Sequence, residues 1–377
     1  MLLVLFLTSS MFATLAKAAA WLTSEGLDGA TSATKTLQRL SSVTAVDTAT
    51  LQSISVRQKR LRAAVVPKRA LARSAGDPSS EKHRQTSSMA AQLDAKDAKP
   101  YAFKRVDAYD GGIGAFATRD LKRGEVILHE APLVTATMAT LEQRVAALDE
   151  KTRKRLFSLC DWRAERQKQP KTALGVFQAN GYPCPTAREP DAAGVFLKFS
   201  RFNHSCKPNA HHAWRKGERW IFATHDIEKG TELTTHYVDL FMTSEDRKKA
   251  LKERFGFDCL CRGCEPTPKL RVAFSDARRA HMRQLDEQIY DKASRGKHEA
   301  AIRDVTERLI MLEEEELDSP AAVARACDDA AQAAAHANDK KTEKEWLERA
   351  RAESKLCEPP ESSELEELEK RLAKLGV

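Results

Sequence analysis

Short apolar runs separated by glycine-containing turns characterise the chain between residues 101 and 265. Runs of this length, bounded in this way, are typical of β-strands joined by tight turns. An apolar segment from Tyr101 leads into a glycine turn at 111–114, and a strand resumes at Ala115. We predict strands in five segments: 101–109, 115–117, 126–129, 214–224 and 232–238. The last two are expected around turns at Lys216-Gly217 and Lys229-Gly230.

Apolar residues spaced three or four positions apart predict helices in two regions. Between 140 and 160 this spacing predicts a helical insert, expected at about 138–179, before a loop marked by Asn180, Gly181 and Pro183. Beyond residue 270 the spacing predicts four or five antiparallel helices up to 377. Such helices either cap the preceding domain or offer a groove to a partner protein, and the sequence favours neither.

The first hundred residues differ from the rest in composition. Residues 1–20 contain an apolar run and end near Ala16-Lys17-Ala18, which resembles a signal-peptide cleavage site but lacks the preceding positive charge. Residues 31–90 are rich in Ser, Thr, Ala and Arg, as in a transit segment or a disordered region. We expect a hydrophobic leader plus a disordered basic segment over 1–99, and secretory or organellar targeting stays open.

Net charge and cysteine content narrow the class of protein. The 377 residues carry a formal net charge of +8, with a basic run at 57–73 and acidic runs at 313–316 and 361–369. No nucleic-acid-binding motif accompanies the basic run, so it is either a solvated tail or a contact for an acidic partner. Eight cysteines are too few to cross-link a chain of this length, which favours a reducing compartment, the nucleus or the cytoplasm.

Three of the cysteines lie within six residues, at Cys259, Cys261 and Cys264. The spacing C-x-C-x2-C predicts a metal-binding or redox hook, because neighbouring thiolates can converge on one ion. Four other cysteines show no comparable spacing and are expected to be buried or incidental thiols: Cys160, Cys184, Cys327 and Cys357.

Four motifs together resemble those of SET-domain protein lysine methyltransferases. They are the glycine turn Gly112-x-Gly114, the segment Asn203-His204-Ser205-Cys206-Lys207-Pro208-Asn209, the strand Glu232-Leu233-Thr234-x-x-Tyr237 and the cysteine hook. The resemblance implies a mainly β fold of small curved sheets, with the Asn-His segment threaded in a knot-like way under a later strand. It implies a SET domain at 100–258, a post-SET zinc hook at 259–265 and an all-α region at 270–377.

The resemblance also implies a set of site residues. S-adenosylmethionine would be the cofactor, and a lysine of a histone or non-histone protein would receive the methyl group. Tyr237 corresponds to the family's catalytic tyrosine, and Cys206 would join Cys259, Cys261 and Cys264 as the fourth zinc thiolate. The implied cofactor-binding residues are Gly112, Ile113, Gly114, Asn180, Ser200, Asn203, His204, Tyr237 and Phe257.

The chain also departs from the family pattern. It is similar to the SMYD-type branch, but Cys160 and Cys184 alone cannot build that branch's MYND zinc finger. His236 stands where many relatives carry a small or acidic residue. We therefore expect a monomeric protein-lysine methyltransferase of undefined substrate, possessing helices that could hold a partner. The alternative is a catalytically silent SET module that binds a peptide or partner, and the presence of Asn203 and Tyr237 favours the enzyme.

Overall fold

A computed structural model describes residues 99–106, 112–264, 268–359 and 362–376 of the protein. The expected leader and basic segment lie outside the described residues except for Lys99, as does the predicted strand end at 107–109. Among the described residues, no helix is long and apolar enough to cross a membrane.

Within these residues, ten short strands form three small sheets. The strands are β1 (Tyr101–Val106), β2 (Gly112–Ala117), β3 (Val126–Glu130), β4 (Val134–Ala136), β5 (Gly181–Pro183), β6 (Ala193–Val195), β7 (Asn203–His204), β8 (Ala210–Arg215), β9 (Glu218–Ala223) and β10 (Glu232–Thr235). The sheet orders are β1-β2-β10-β7, β3-β9-β8 and β4-β6-β5. The predicted turn at Lys216 and Gly217 is confirmed: both residues adopt positive φ and reverse the chain between β8 and β9, which form a hairpin.

Strand β2 begins earlier than predicted. Its pairing with β1 continues to Gly112, which lies opposite Val106, so the predicted turn at 111–114 was wrong for its last three residues. Ala115 and Ala117 are buried and Phe116 is partly exposed, the alternation expected of a sheet with one face on the core. The core behind this sheet contains the fully buried rings of Phe196, Phe199 and Phe202.

Four short helices occupy the segment where the helical insert was expected. They are α1 (Leu141–Ala146), α2 (Glu150–Leu156), α3 (Trp162–Gln167) and α4 (Ala173–Asn180). The side chains of Asp149, Asp161 and Thr172 accept hydrogen bonds from the first turns of α2, α3 and α4, so each side chain caps a new helix. The predicted loop at Asn180, Gly181 and Pro183 was wrong, because Asn180 ends α4 and the next three residues form β5.

Helices follow the sheets, as predicted. A helix that the sequence did not suggest, α5 (Ser244–Phe255), precedes the cysteine hook. Five more follow it: α6 (Lys269–Ser294), α7 (His298–Glu314), α8 (Pro320–His336), α9 (Lys340–Ser354) and α10 (Ser363–Lys374). Small side chains such as Ala326, Ala330 and Ala331 are fully buried where these helices meet. Close packing of this kind explains the alanine-rich sequence of α8.

The end of α9 and the segment after it contact β8 and the turn before β3. The guanidinium of Arg215, at the end of β8, donates to both carboxylate oxygens of Glu358 at 2.7 and 2.8 Å. Arg123 pairs with Glu353 at 2.6 Å. Beside them Gly124 has a φ of +81°, and a Cβ there would lie 2.6 Å from Cδ2 of Leu356. The turn before β3 therefore needs glycine both for its backbone and for this contact.

Gly124→Ala should lower the free energy of unfolding by about 1–3 kcal/mol, because it adds a left-handed alanine and a clash with Leu356. Gly230→Ala is the matched control, since Gly230 has a φ of +86° and no atom within 4 Å of the added Cβ. Urea unfolding of both variants separates backbone strain from the contact. Equal losses in the two variants would show that the Leu356 contact contributes nothing.

Candidate active site

Three strands bring the predicted site motifs together. β10 pairs antiparallel with β2, with Leu233 opposite Ala115, and in parallel with β7, with Thr235 opposite His204. The glycine segment, the Asn-His segment and the tyrosine that follows β10 are therefore neighbours, although they are far apart in sequence. The parallel pairing is the contact on which the expected threading depends.

The amide of Asn203 is held in one orientation. Its Nδ2 donates to the carbonyl of Ile113 at 3.3 Å and to Oε1 of Glu232 at 2.8 Å. An amide nitrogen has two hydrogens, so both donors are used and Oδ1 remains an acceptor with no partner among the described residues. A Cβ on Gly114 would lie 2.5 Å from Glu232 Oε1 and 3.0 Å from Asn203 Nδ2. Glycine at 114 is thus required for this close approach.

His204 links the site to the cysteines. The ring is 5% exposed, and its Nδ1 accepts a hydrogen bond from the backbone N–H of Tyr237 at 3.0 Å. A neutral imidazole whose Nδ1 accepts must carry its proton on Nε2. Nε2 lies 3.3 Å from Sγ of Cys206, so the ring donates to that sulfur. The His204 side chain therefore helps to position both the backbone of Tyr237 and the sulfur of Cys206.

The hydroxyl of Tyr237 is also fixed. It donates to the backbone carbonyl of Phe202 at 2.7 Å. Its ring packs against His204, Phe255 and Phe257, with centroid distances of 5.5, 5.0 and 6.4 Å. Because the hydroxyl proton points at the Phe202 carbonyl, the oxygen presents lone pairs, and can act as an acceptor, on its remaining side.

Four cysteines converge behind these residues. The sulfurs of Cys206, Cys259, Cys261 and Cys264 all lie within 4.8 Å of one another. A tetrahedral ion about 2.3 Å from each thiolate would space the sulfurs about 3.8 Å apart, so the set fits a closed metal site without an open position. Hydrogen bonds from Cys259, Cys261 and Cys264 lower the pKa of the Cys206 thiol, which favours its thiolate.

Two buried arginines face Cys206, and no motif in the sequence had pointed to either of them. Arg247 of α5 is 2% exposed and donates through Nε to Sγ of Cys206 at 3.3 Å. Arg279 of α6 is 1% exposed, donates to the Cys206 carbonyl at 3.3 Å and pairs with buried Glu315. Arg247 has no carboxylate partner among the described residues, so the thiolate is its counter-charge.

A comparison of sequences agrees with the arrangement of these site residues. The family model of the SET domain matches residues 112–238 of this chain. Residues 112–238 form a SET domain. The small sheets followed by helices confirm the predicted fold class, whereas the outer boundaries at 100 and 258 stay predictions.

Relatives of the SET domain carry related descriptions. The chain is 32% identical over 192 residues to "Histone-lysine N-methyltransferase set5" of Schizosaccharomyces pombe, covering 49% of this chain and 57% of that relative. It is 36% identical over 86 residues to "Histone-lysine N-methyltransferase SMYD3" of Homo sapiens, covering 23% of this chain and 20% of that relative. The chain therefore spans between a fifth and three fifths of these two proteins.

A solved structure of the SET domain of LSMT bound to lysine and AdoHcy is 12% identical, with a TM-score of 0.28. It covers 77% of this chain and 92% of that chain. The domain assignment rests on the sequence match over residues 112–238.

The other predicted pocket residues lie in separate parts of the SET domain. The Asn180 side chain donates to the carbonyls of Cys160 and Val176 at 2.8 and 2.7 Å, so it closes the end of α4. Ser200 lies in a short 3-10 helix, Phe199–Arg201, and its buried Oγ has no partner among the described residues. Phe257 lies 6.4 Å from the His204 ring. Their roles in a cofactor pocket stay predictions.

A stack of histidines lies beside Tyr237, and only His236 had been singled out. The His236 ring stacks on His212 at 4.9 Å. Nδ1 of His212 lies 3.4 Å from the buried guanidinium of Arg219 and accepts from it, because a guanidinium only donates. Burial lowers the pKa of His236 to about 4. The stacked imidazoles are therefore neutral at neutral pH.

Acid should destabilise the SET domain through this stack. The pKa of His236 falls from an ordinary 6.5 to about 4 on folding, so the unfolded chain binds more protons between those values. The stability contribution is complete above about pH 6.5 and is lost as the pH falls toward 4. Urea unfolding at pH 7.5, 6.0 and 5.0 measures this loss.

His236→Gln should flatten the pH dependence of the unfolding free energy. His281→Gln, a change on the exposed face of α6, is the control and should leave the slope unchanged. If both variants keep the wild-type slope, His236 does not titrate between the two states.

Proposed function

We propose that the protein transfers a methyl group from S-adenosylmethionine to a lysine side chain of a protein substrate in the nucleus or cytoplasm. The observation that carries the proposal is the convergence of the Asn203 amide, the Gly114 backbone and the Tyr237 hydroxyl around one sheet of the SET domain. The names of the fission yeast and human relatives support it.

The residues fit the cofactor. S-adenosylmethionine supplies a methyl group on a positively charged sulfur. Asn203 presents an unpaired Oδ1, which suits the ammonium of the amino-acid end. The backbone of the Gly112–Gly114 segment would lie along the methionine part, since it has no side chain at 112 or 114. Ser200 adds a buried hydroxyl whose partner is missing from the described residues.

The chain must also make the lysine amine nucleophilic. A lysine ordinarily has a pKa near 10.4, and only its neutral form attacks, so the site has to desolvate it. The aromatic surroundings of Tyr237 supply such an environment. The Tyr237 oxygen, oriented as an acceptor by the Phe202 carbonyl, would steady positive charge at the reacting centre.

We propose that the four cysteines hold one structural Zn2+. Thiolates are the preferred ligands of closed zinc sites, and four of them leave no position for a reacting water. Cys206 lies two residues after His204, so the ion would fasten the hook to the Asn-His segment. Phe257, two residues before Cys259, would be held near His204 by the same link.

Purified protein should contain one zinc per chain, and Cys264→Ser should lose the ion and lower the melting temperature. Cys160→Ser is the control, since that thiol is exposed and lies outside the four-sulfur group. Elemental analysis and native thiol titration are the measurements. Metal-free wild-type protein with four freely titratable thiols would contradict the zinc assignment.

Tyr237→Phe should lower kcat roughly a hundredfold or more while cofactor affinity is retained, because it removes one preorganised acceptor and keeps the ring. Tyr290→Phe makes the same change on an exposed residue and should be silent. A labelled-methyl assay on a proteome extract gives activity, and calorimetry gives cofactor binding. Full turnover by Tyr237→Phe would exclude this hydroxyl from the chemistry.

Asn203→Ala should act mainly on cofactor affinity, in contrast to Tyr237→Phe, which should act on kcat. The reason is that the Asn203 side chain orients an acceptor toward the cofactor. The two variants together test the division of labour between binding and chemistry. Wild-type protein that binds the cofactor but labels nothing in the extract would favour the catalytically silent module.

A further inference from the structure

Glu232 connects the two asparagines of the Asn-His segment. Its carboxylate Oε1 accepts a hydrogen bond from Nδ2 of Asn203 at 2.8 Å, and its backbone carbonyl accepts from Nδ2 of Asn209 at 2.7 Å. Oδ1 of Asn209 accepts in turn from the backbone N–H of Thr234 at 2.7 Å. Asn209 therefore holds β10 on both sides of Leu233, and the strand held in this way presents a carboxylate to Asn203.

The side chain of Glu232 lies on the open face of its sheet. Leu233 and Thr235 are fully buried, whereas Glu232 and Thr234 are partly exposed, so the two faces of β10 differ in burial. Asn203, on the neighbouring strand β7, is partly exposed as well. The hydrogen bond between Glu232 and Asn203 is therefore accessible to a ligand, although both residues belong to buried strands.

Two acceptors determine which way the Asn203 amide points. Besides Glu232, the carbonyl of Ile113 accepts from the same Nδ2 at 3.3 Å. A carboxylate and a backbone carbonyl accept hydrogen bonds and do not donate them. Rotating the amide by half a turn would place its oxygen against both groups and lose both hydrogen bonds. The orientation that leaves Oδ1 facing away from Glu232 is therefore the stable one.

Glu232 contributes more to this orientation than Ile113. Its hydrogen bond is the shorter of the two, and a bond to a carboxylate is about twice as strong as a bond to a neutral acceptor. The carboxylate also polarises the amide, which makes Oδ1 of Asn203 a better acceptor. A cationic group placed at Oδ1 would gain from both effects.

The glycine segment leaves room for this carboxylate. A Cβ on Gly114 would lie 2.5 Å from Oε1 of Glu232, a distance at which the carboxylate would have to move away. Glycine at 114 thus permits the contact between Glu232 and Asn203 in addition to the close approach of the β2 backbone.

We propose that Glu232 is a positioning residue for S-adenosylmethionine: it fixes the Asn203 amide so that Oδ1 receives the α-ammonium of the cofactor. Glu232 acts through Asn203 and needs no contact of its own with the cofactor. The inference rests on the proposed function and adds the residue on which recognition of the ammonium depends.

The test compares S-adenosylhomocysteine with an analogue in which hydrogen replaces the α-amino group. Calorimetry with the full chain gives both dissociation constants, and their ratio reports the contribution of the ammonium. Wild-type protein should bind S-adenosylhomocysteine about tenfold or more tightly than the analogue, as expected for a hydrogen bond to a charged group. Asn203→Ala lacks the acceptor and should bring the ratio close to one.

Glu232→Gln keeps the size of the side chain but can donate as well as accept, so the Asn203 amide loses its fixed orientation. The ratio should fall to about threefold or less, with little change in the affinity for the analogue. Because both ligands are measured on one preparation, a loss of folded protein does not alter the ratio. Glu228→Gln, the same change on an exposed residue of the preceding turn, is the control and should keep the wild-type ratio.

A wild-type ratio in Glu232→Gln would overturn the positioning role and leave the proposed methyl transfer standing. Equal affinity of wild-type protein for the two ligands would do the same, and this measurement needs no variant to fold. Wild-type protein that binds neither ligand would remove the proposed function together with the inference. A ratio that falls in Glu232→Gln and Asn203→Ala but not in Glu228→Gln would support the role of Glu232.

Discussion

Cys206 joins four parts of the molecule at one buried residue. Its sulfur accepts from His204 of β7 and Arg247 of α5, and its backbone N–H donates to the sulfur of Cys261 in the hook. Its carbonyl accepts from Arg279 of α6. His204 also accepts from the backbone of Tyr237. A displacement of Cys206 would therefore reach the candidate catalytic tyrosine through a single side chain.

Buried charge explains why helices α5 and α6 lie against the SET domain. Burying a guanidinium costs free energy unless an opposite charge compensates for it. Glu315 offsets Arg279, whereas the Cys206 thiolate is the counter-charge that the described residues offer to Arg247. Thiolates around a divalent ion keep net negative charge, so the same cluster that closes the hook would also hold two cationic helices. The cysteines thus contribute to docking beyond their own short segment.

The sequence was sufficient for the features that depend on local pattern. Strands, the helical insert and the C-terminal helices followed from apolar spacing, and the family motifs placed Asn203, Tyr237 and the hook. The ends of the strands and helices were harder to predict. Pairing with β1 extends β2 back to Gly112, and the cap at Asp149 divides the helix expected at 140–160. Arg247 could not be anticipated, since its environment comes from residues distant in sequence.

The matched SET domain and the C-terminal helices are different parts of this chain. The residues proposed to hold the cofactor and the amine lie within the matched SET domain or next to it, at 112–257. Helices α6 to α10 lie beyond the match. Two proteins can therefore share the strands that position Asn203 and Tyr237 while differing in their C-terminal helices. A match over the SET domain supports an expectation about the reaction. The C-terminal helices must be compared separately before a relative's substrate is proposed for this chain.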